Sequence, residues 1–483
     1  TGSNRKNVRE IIRARTEEKG GIKKEMIRKY YRIRFQLTSP LSVGCGKNQV
    51  TDSDMILDSR GLPYVPGTSL AGVYRRIFSE QTAETYFGTN LTEERIRTSS
   101  EEGRNVLTES RIAVYDALMA SPKNYALTKR DMVALDEYKV ALPGAKFDFQ
   151  ILEPGVEFVT YIEQTMETAE EQYIADEIAY AWQQGNIRLG AKTGKGFGAA
   201  KSAEIAQCSF DLGDKKDLER WLSFDMYKED QWSVIDAPVC LSREKKGEAH
   251  EKLKQVYEKR GIHLREDHLV RIRIRLKQAG GISVRQYTTD VGEADYMQMC
   301  RKDGVPVIPG TSWAGAFRAQ MGRLNPDFAA GAAMSELFFG KKKGKKAEES
   351  SRTRITFSES ELKNEKWITY TRNAIDRFTG GTVDGALYTE KTCYGGTAQL
   401  VILCDFGGLE EEKIEKFGKT LAGAVLDLHN GFLAVGGLTS VGHGLFRVTE
   451  VTAGQETISF QDEDDKERYQ KLWSAIAGGA KAC

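Results

Sequence analysis

The feature that most constrains this 483-residue chain is that it repeats itself. Gly61-Leu62-Pro63-Tyr64-Val65-Pro66-Gly67-Thr68-Ser69-Leu70-Ala71-Gly72 returns as Gly304-Val305-Pro306-Val307-Ile308-Pro309-Gly310-Thr311-Ser312-Trp313-Ala314-Gly315. Leu189-Gly190-Ala191-Lys192-Thr193-Gly194-Lys195-Gly196-Phe197-Gly198 returns as Val435-Gly436-Gly437-Leu438-Thr439-Ser440-Val441-Gly442-His443-Gly444. Weaker pairs lie between them. Tyr86-Phe87-Gly88 answers Phe338-Phe339-Gly340, Ser110-Arg111-Ile112 answers Thr353-Arg354-Ile355, and Gly144, Ala145 and Gly155 answer Gly385, Ala386 and Gly396. All keep their order at an offset of roughly 240–250 residues, the signature of a duplicated domain. Two long copies are too few and too large for a solenoid.

Each copy opens on a strand of alternating apolar and polar residues, Tyr31–Leu37 and Leu269–Lys277. An irregular glycine-bearing loop follows, then the Pro-Gly-Thr-Ser turn, whose hydroxyls suit a helix start. Leu70, Val73, Ile77 and Phe78 give that helix its apolar face, as Trp313, Ala316, Phe317 and Met321 do in the second copy. Strands are expected at 146–152 and 157–162, and again at 386–392 and 398–404. Second helices are expected at 170–184 and 410–428, and a last strand after each glycine-rich loop. Strand, helix, strands, helix, strand is the split βαβ order, so the fold class is α+β: two ferredoxin-like domains with insertions, in tandem. The expected divisions are a basic N-terminal extension (1–29), a first domain (30–206), a tail and interdomain connector (207–265), a second domain (266–455) and a C-terminal tail (456–483).

Composition excludes several function classes. With 40% apolar and 29% charged residues the chain reads as globular, not disordered. No run of eighteen or more apolar residues and no signal-peptide pattern is present, which predicts no membrane contact and a cytoplasmic location. Seven cysteines (Cys45, Cys208, Cys240, Cys300, Cys393, Cys404, Cys483) form no C-x-x-C pair, against both a disulfide framework and a local zinc site. Net charge is +1, but basic residues cluster between Arg5 and Arg32 and at Lys341–Lys346.

The motifs suggest an anionic ligand. Glycines at 190–198 let backbone N–H groups approach phosphate oxygens, with Lys192, Thr193 and Lys195 interleaved, although the spacing is not that of a Walker loop. A tight connection needing positive φ would also use glycine there. The second copy keeps Gly436, Gly442 and His443 but replaces both lysines with Leu438 and Val441. Thr68, Ser69, Thr311 and Ser312 stand at helix N-termini, where the macrodipole favours anions, and Arg75 and Arg318 follow at matched positions. A simple helix start explains either turn alone. Asp52, Ser53, Asp54 and Asp58 crowd the loop before the first turn, and ungapped counting aligns Asp52 with Asp295. Such a carboxylate suits a divalent metal or a ribose hydroxyl; capping a turn is the structural alternative.

Together these residues resemble the RAMP superfamily, the repeat-associated proteins of CRISPR systems, most closely the backbone subunit of type III effector complexes. The carriers are Gly44-x-Gly46 with Asp52, the Pro-Gly-Thr-Ser segment of each copy, Ser110-Arg111-Ile112, Ile375-Asp376-Arg377-Phe378-Thr379-Gly380, Glu390 to Gly396 and both glycine-rich loops. The likeness covers roughly 30–205 and 268–450. It implies RRM-like palms, a β-hairpin thumb from each, and a filament along CRISPR guide RNA together with other effector subunits, further backbone subunits among them. In active members a loop aspartate cuts complementary target RNA with a divalent metal, Mg2+ or Mn2+, bound transiently. Carried over by position, Asp52 and Asp295 are the catalytic and metal-binding candidates. Gly44, Gly46 and the turn and loop residues above are the RNA-binding ones. The first copy departs from the pattern, reading Leu135-Asp136-Glu137-Tyr138-Lys139 where the second has its Ile-Asp-Arg string, and the second loop adds Glu293. A purely structural RNA-binding subunit and a guide-processing endoribonuclease are the alternatives.

Overall fold

The computed structural model describes residues 26–44, 46, 51–89, 108–123, 125–135, 141–244, 246–265, 268–287, 294–340, 353–454, 456–461 and 464–482. The basic N-terminal run up to residue 25, Lys341–Lys346, Glu293, and 136–140 of the first copy's departing segment lie outside the described residues.

In the first copy, Ile27–Leu37 (β1) sends Tyr31, Ile33, Phe35 and Leu37 into the core, as its alternation requires. Helices Gly67–Tyr74 (α1) and Glu80–Phe87 (α2) precede the short strands Ile112–Val114 (β2) and Leu118–Met119 (β3). A hairpin of Leu127–Leu135 (β4) and Ala141–Leu152 (β5) leads to Glu157–Met166 (β6), helix Tyr173–Gln183 (α3) and Ala200–Asp211 (β7). The sheet runs β2-β6-β1-β7, every pair antiparallel. This is the ferredoxin-like order expected, with the hairpin as the insertion. Trp182 anchors the core against Phe35 and donates its indole N–H to the Tyr74 hydroxyl at 3.0 Å.

The stretch after β7 folds back on the first palm through Lys215–Ser223 (α4), Ser233–Val234 (β8, which pairs with β7) and Glu248–Arg260 (α5). Leu253 and Tyr257 of α5 join the first core, and the Tyr257 hydroxyl donates to the buried Glu177 carboxylate at 2.9 Å.

The second copy repeats the plan. Leu269–Gln278 (β9) is followed by Arg285–Tyr287 (β10), Tyr296–Gln298 (β11), Val307–Ile308 (β12), Gly310–Leu324 (α6), Ala333–Phe339 (α7), Ile355–Phe357 (β13) and Ser360–Glu361 (β14). Lys366–Arg372 (β15) and Tyr388–Tyr394 (β16) form its hairpin, ahead of Thr397–Asp405 (β17), Glu411–Asn430 (α8) and Phe446–Ala453 (β18). The sheet order β13-β17-β9-β18 matches the first palm strand for strand. The stretch expected as a tail contributes Glu456–Ser459 (β19) to the sheet edge and Asp465–Ala482 (α9), whose Leu472 and Ile476 are buried in the second core. No helix among the described residues is long and apolar enough to cross a membrane.

Candidate functional site

The two loop aspartates reach equivalent places. Each lies exposed against the second strand of its own hairpin. The Asp52 N–H donates to Asp148 Oδ1 at 3.0 Å, and Asp52 Oδ2 accepts the Asp148 N–H at 3.3 Å. Asp295 makes the same reciprocal pair with Thr389: its N–H donates to Thr389 Oγ1 at 3.1 Å, and its Oδ2 accepts the Thr389 N–H at 2.7 Å. Asp148 and Thr389 stand at matched hairpin positions, so the ungapped alignment of the aspartates is a structural equivalence as well.

The chemistry differs. In the first copy Asp52 meets a second carboxylate, and the Lys129 ammonium pairs with Asp148 across the hairpin. That ion pair holds the Asp148 carboxyl below its ordinary range and raises Lys129, with Asp52 adding to the latter. In the second copy the Thr389 hydroxyl also donates to Asp295 Oδ2, at 3.0 Å. The Thr389 N–H and hydroxyl therefore lower the Asp295 pKa. Neighbouring Asp54 is buried and accepts from the Thr51 N–H and hydroxyl, and Asp58 caps its own turn through Arg60 and Leu62. Sequence reasoning missed Asp148 and Lys129, because an acid and a base on a hairpin strand leave no mark beyond ordinary alternation.

The fit to a divalent metal differs accordingly. Mg2+ keeps several waters and is commonly held by one or two carboxylates together with substrate phosphate. Asp52 and Asp148 meet that description with two carboxylates; at the matched positions among the described residues Asp295 supplies one, and Thr389 stands where the first copy has Asp148. No cluster of three or more His, Cys, Asp or Glu side chains suited to a metal occurs among the described residues.

The first glycine-rich loop is not an open cradle. A Cβ on Gly196 would lie 2.2 Å from the carbonyl oxygen of Phe357, which belongs to β13 of the second copy. A Cβ on Gly310 would lie 2.0 Å from that same oxygen and 3.1 Å from the Lys195 carbonyl oxygen. The glycines thus permit the first loop to dock on the second copy's Pro-Gly-Thr turn. Lys192 is held at φ 60° with its ammonium 3.8 Å from the Phe149 ring centroid, and Lys195 lies over Phe147 beside a cleft lined also by Met132, Pro309 and Thr311. Burial lowers both lysine pKa values. Thr193 begins the short 3-10 turn between the lysines.

The remaining candidates scatter. Gly44 bridges Met55 at the base of the Asp52 loop, and Gly46 takes a φ of 100° there. Thr68, Ser69, Thr311 and Ser312 sit at the N-termini of α1 and α6. Arg75 and Arg318 turn away from those N-termini. Arg75 donates to the Gly88 carbonyl at 2.7 Å and Arg318 to Ser335 Oγ at 3.0 Å, binding the first helix of each copy to the next. In the second loop, Gly436 packs on Ser283, and a Cβ on Gly442 would meet nothing within 4 Å. His443 is buried beneath the loop, 3.3 Å from Arg372 Nη2. The Ile375–Gly380 segment closes a turn at the second hairpin's tip: Asp376 Oδ1 accepts the Phe378 and Thr379 N–H groups, and Phe378 is 99% exposed.

Between the copies lies a buried ionic network. Arg130 of β4 pairs with Glu359, which also meets Arg301, and Arg301 pairs with Glu361. Arg130 Nη2 stands 3.9 Å from Glu153, which in turn accepts from Thr128. The first hairpin is thereby keyed to the second palm.

Two stretches, 34–201 and 291–447, match the model of the RAMP superfamily. No curated protein sequence matches the chain significantly. Among solved structures, a chain in the cryo-EM structure of the type III-B Cmr-beta bound to cognate target RNA is similar at 17% identity and a TM-score of 0.29. That similarity covers 42% of this chain and 66% of the other, so this chain spans just under two thirds of that relative. The family matches fall one on each palm and together take in well over half of the residues: the chain belongs to the RAMP superfamily, with two repeated copies.

Proposed function

We propose that this chain is a guide-RNA-binding backbone subunit of a type III CRISPR interference complex and that its first copy cleaves complementary target RNA at Asp52. The observation that carries the reading is the Asp52–Asp148 carboxylate pair with Lys129, poised at the base of the hairpin that serves as thumb. Asp52 and Asp148 would hold Mg2+ or Mn2+, which neutralises phosphate charge when bound. In the cleavage step the target's 2′-oxygen forms a bond to its own phosphorus while the bond to the 5′-oxygen breaks, leaving a cyclic phosphate and a 5′-hydroxyl. The Asp52 carboxylate orients and accepts the 2′-hydroxyl proton, and Lys129 or water protonates the leaving oxygen. For the second copy a structural role is favoured, because Thr389 stands there in place of Asp148, and its hydroxyl donates to Asp295 Oδ2 where the first copy offers a second carboxylate.

Further backbone subunits are the partners this reading implies. The intrachain junction supports it: the first glycine loop is docked on a palm, whereas in the second loop a Cβ on Gly442 would meet nothing within 4 Å among the described residues and Val441 is 60% exposed. The test is target-RNA cleavage by the assembled complex with Mg2+ or Mn2+. Asp52→Ala should lose at least a hundredfold in rate, the order of one well-placed acid–base group, with guide binding retained. Asp295→Ala should lose far less. Unchanged cleavage by Asp52→Ala removes the catalytic assignment and leaves the purely structural subunit.

A further inference from the structure

The outer faces of the two sheets carry cations at matched positions but are treated differently. In the first palm, Arg32 and Arg34 of β1 point away from the core and are covered by the connector. Glu229 accepts from Arg34 at 2.8 Å and lies 3.8 Å from Arg32, Glu204 accepts from Arg32 at 2.7 Å, and the Trp232 ring lies 5.6 Å from the Arg32 guanidinium. This face therefore seats an anionic group on a pair of arginines.

In the second palm the matched residues are Arg273 and Arg275, and the alternation of β9 extends the row to Arg271 and Lys277 while Ile272, Ile274 and Leu276 face the core. Arg271 is tied to the first copy through Asn186 Oδ1 at 3.0 Å. Arg275 lies 3.3 Å from Glu450 and is 67% exposed, and Arg273 and Lys277 meet no carboxylate within ion-pair distance among the described residues. Arg447 pairs in register beside Lys277, with Thr397 and Gln399 on the other flank. No connector among the described residues covers this side, and α9 packs on the helical face.

We infer that the exposed face of the second sheet is a separate track for single-stranded RNA, held through its phosphates. Alternate residues of a strand repeat at about 6.8 Å, which suits a repeating polyanion. The face carries no aromatic side chain on β9, β17 or β18 apart from the buried Phe446, so bases are not stacked and the binding is independent of sequence. A protein partner would need an apolar or aromatic anchor at the centre of the face, and the outward apolar residues of β9 and β17 are Leu269 at the strand end and the half-buried Val401 and Leu403. The choice of RNA rests on the function proposed above; the basic track does not.

The test is the affinity of the full chain for fluorescein-labelled oligouridylate between 0.05 and 0.3 M NaCl. R273A/K277A, checked for an unchanged melting temperature, should make the slope of log K against log salt shallower by about 1.4, two neutralised phosphates at about 0.7 each, and weaken binding on the order of twentyfold at 0.1 M. E450Q, which releases Arg275, should tighten binding. Target cleavage at Asp52 in the assembled complex should be unchanged by R273A/K277A, which separates failure here from failure of the catalytic reading. An unaltered affinity and slope, or stronger competition by polyglutamate than by unlabelled oligouridylate of equal charge, would overturn the proposal.

Discussion

The two copies share a palm strand for strand yet fill the space between hairpin and glycine loop with opposite chemistry. In the first, Phe149, Ile151 and Phe197 pack with Met132 and Phe147 as a small apolar cluster. In the second, the matched positions hold Glu390, Thr392, His443, Arg372 and Tyr388. Glu390 accepts from Ser283 at 2.6 Å and lies 3.4 Å from both Arg285 and Arg372, while Arg372 reaches His443. The first hairpin is consequently held by shape and by its ties to the other copy, the second by a local ionic cluster. A duplicated fold has kept its backbone while the two hairpins came to be held by different contacts.

The joint should yield the largest effect. Arg130, Glu359 and Arg301 are nearly removed from water, and deleting one member of a buried ionic network leaves the others uncompensated. Arg130→Ala should destabilise the chain by about 3–5 kcal/mol in denaturant unfolding. A double-mutant cycle with Glu359→Gln should show strong coupling, whereas Lys129→Ala on the same strand, exposed to solvent, should cost far less. Equal costs for Arg130 and Lys129 would mean the hairpin is not keyed to the second palm.

Next comes the pair of glycines. Gly196 and Gly442 take nearly the same φ, +89° and +88°, so alanine at either incurs the left-handed penalty of about 1–2 kcal/mol. Only Gly196 abuts another copy, and its Cβ must displace the Phe357 backbone, adding about 1–3 kcal/mol. Gly196→Ala should therefore lower the melting temperature well beyond Gly442→Ala. If Gly442→Ala instead leaves the isolated chain intact but prevents its incorporation into an effector complex, the second loop docks on a further subunit as the first does here.

Much of this was legible in the sequence, for identifiable reasons. Alternation in Tyr31–Leu37 and Leu269–Lys277 has a fixed physical meaning, and recurrence tied each strand to its twin, so sheet order followed from the split βαβ pattern. The aspartates were found because Asp52 and Asp295 keep their distance from the Pro-Gly turn. What was not legible depends on contacts between residues far apart in the chain. Repeated glycines suggest a phosphate cradle equally well as a site where another backbone closes in, and only the position of Phe357 against Gly196 decides. Arg75 and Arg318 recur because each binds one helix to the next, a packing role that recurrence cannot distinguish from ligand binding. The connector's burial of Arg32 and Arg34 left no motif at all.

The smallest expected effect concerns pH. His443 is buried beneath its loop, facing Arg372 and the Tyr394 ring, with Arg285, Glu390 and Tyr370 in the same cluster. Burial lowers its pKa below the ordinary 6.5, Arg372 and Arg285 lower it further, and Glu390 acts in the opposite sense. In the unfolded chain the imidazole takes up a proton as pH falls through about 6.5, while in the native state it resists until lower pH. The unfolded state then binds more protons, so stability is lost on acidification through that window and regained above it. His429, similarly lowered by burial, contributes in the same direction. His443→Phe, which installs the residue of the first copy, should flatten the fall in stability between pH 6.5 and 5 without abolishing it, because His429 remains. The reverse exchange, Phe197→His, places an imidazole among Phe149, Ile151 and Met132, with the Lys192 ammonium over the Phe149 ring and Arg130 lining the same cleft; burial and these cations both disfavour its protonation, so it should steepen the same slope, and matching slopes for all three proteins would show that the two linings do not differ in the way their contacts indicate.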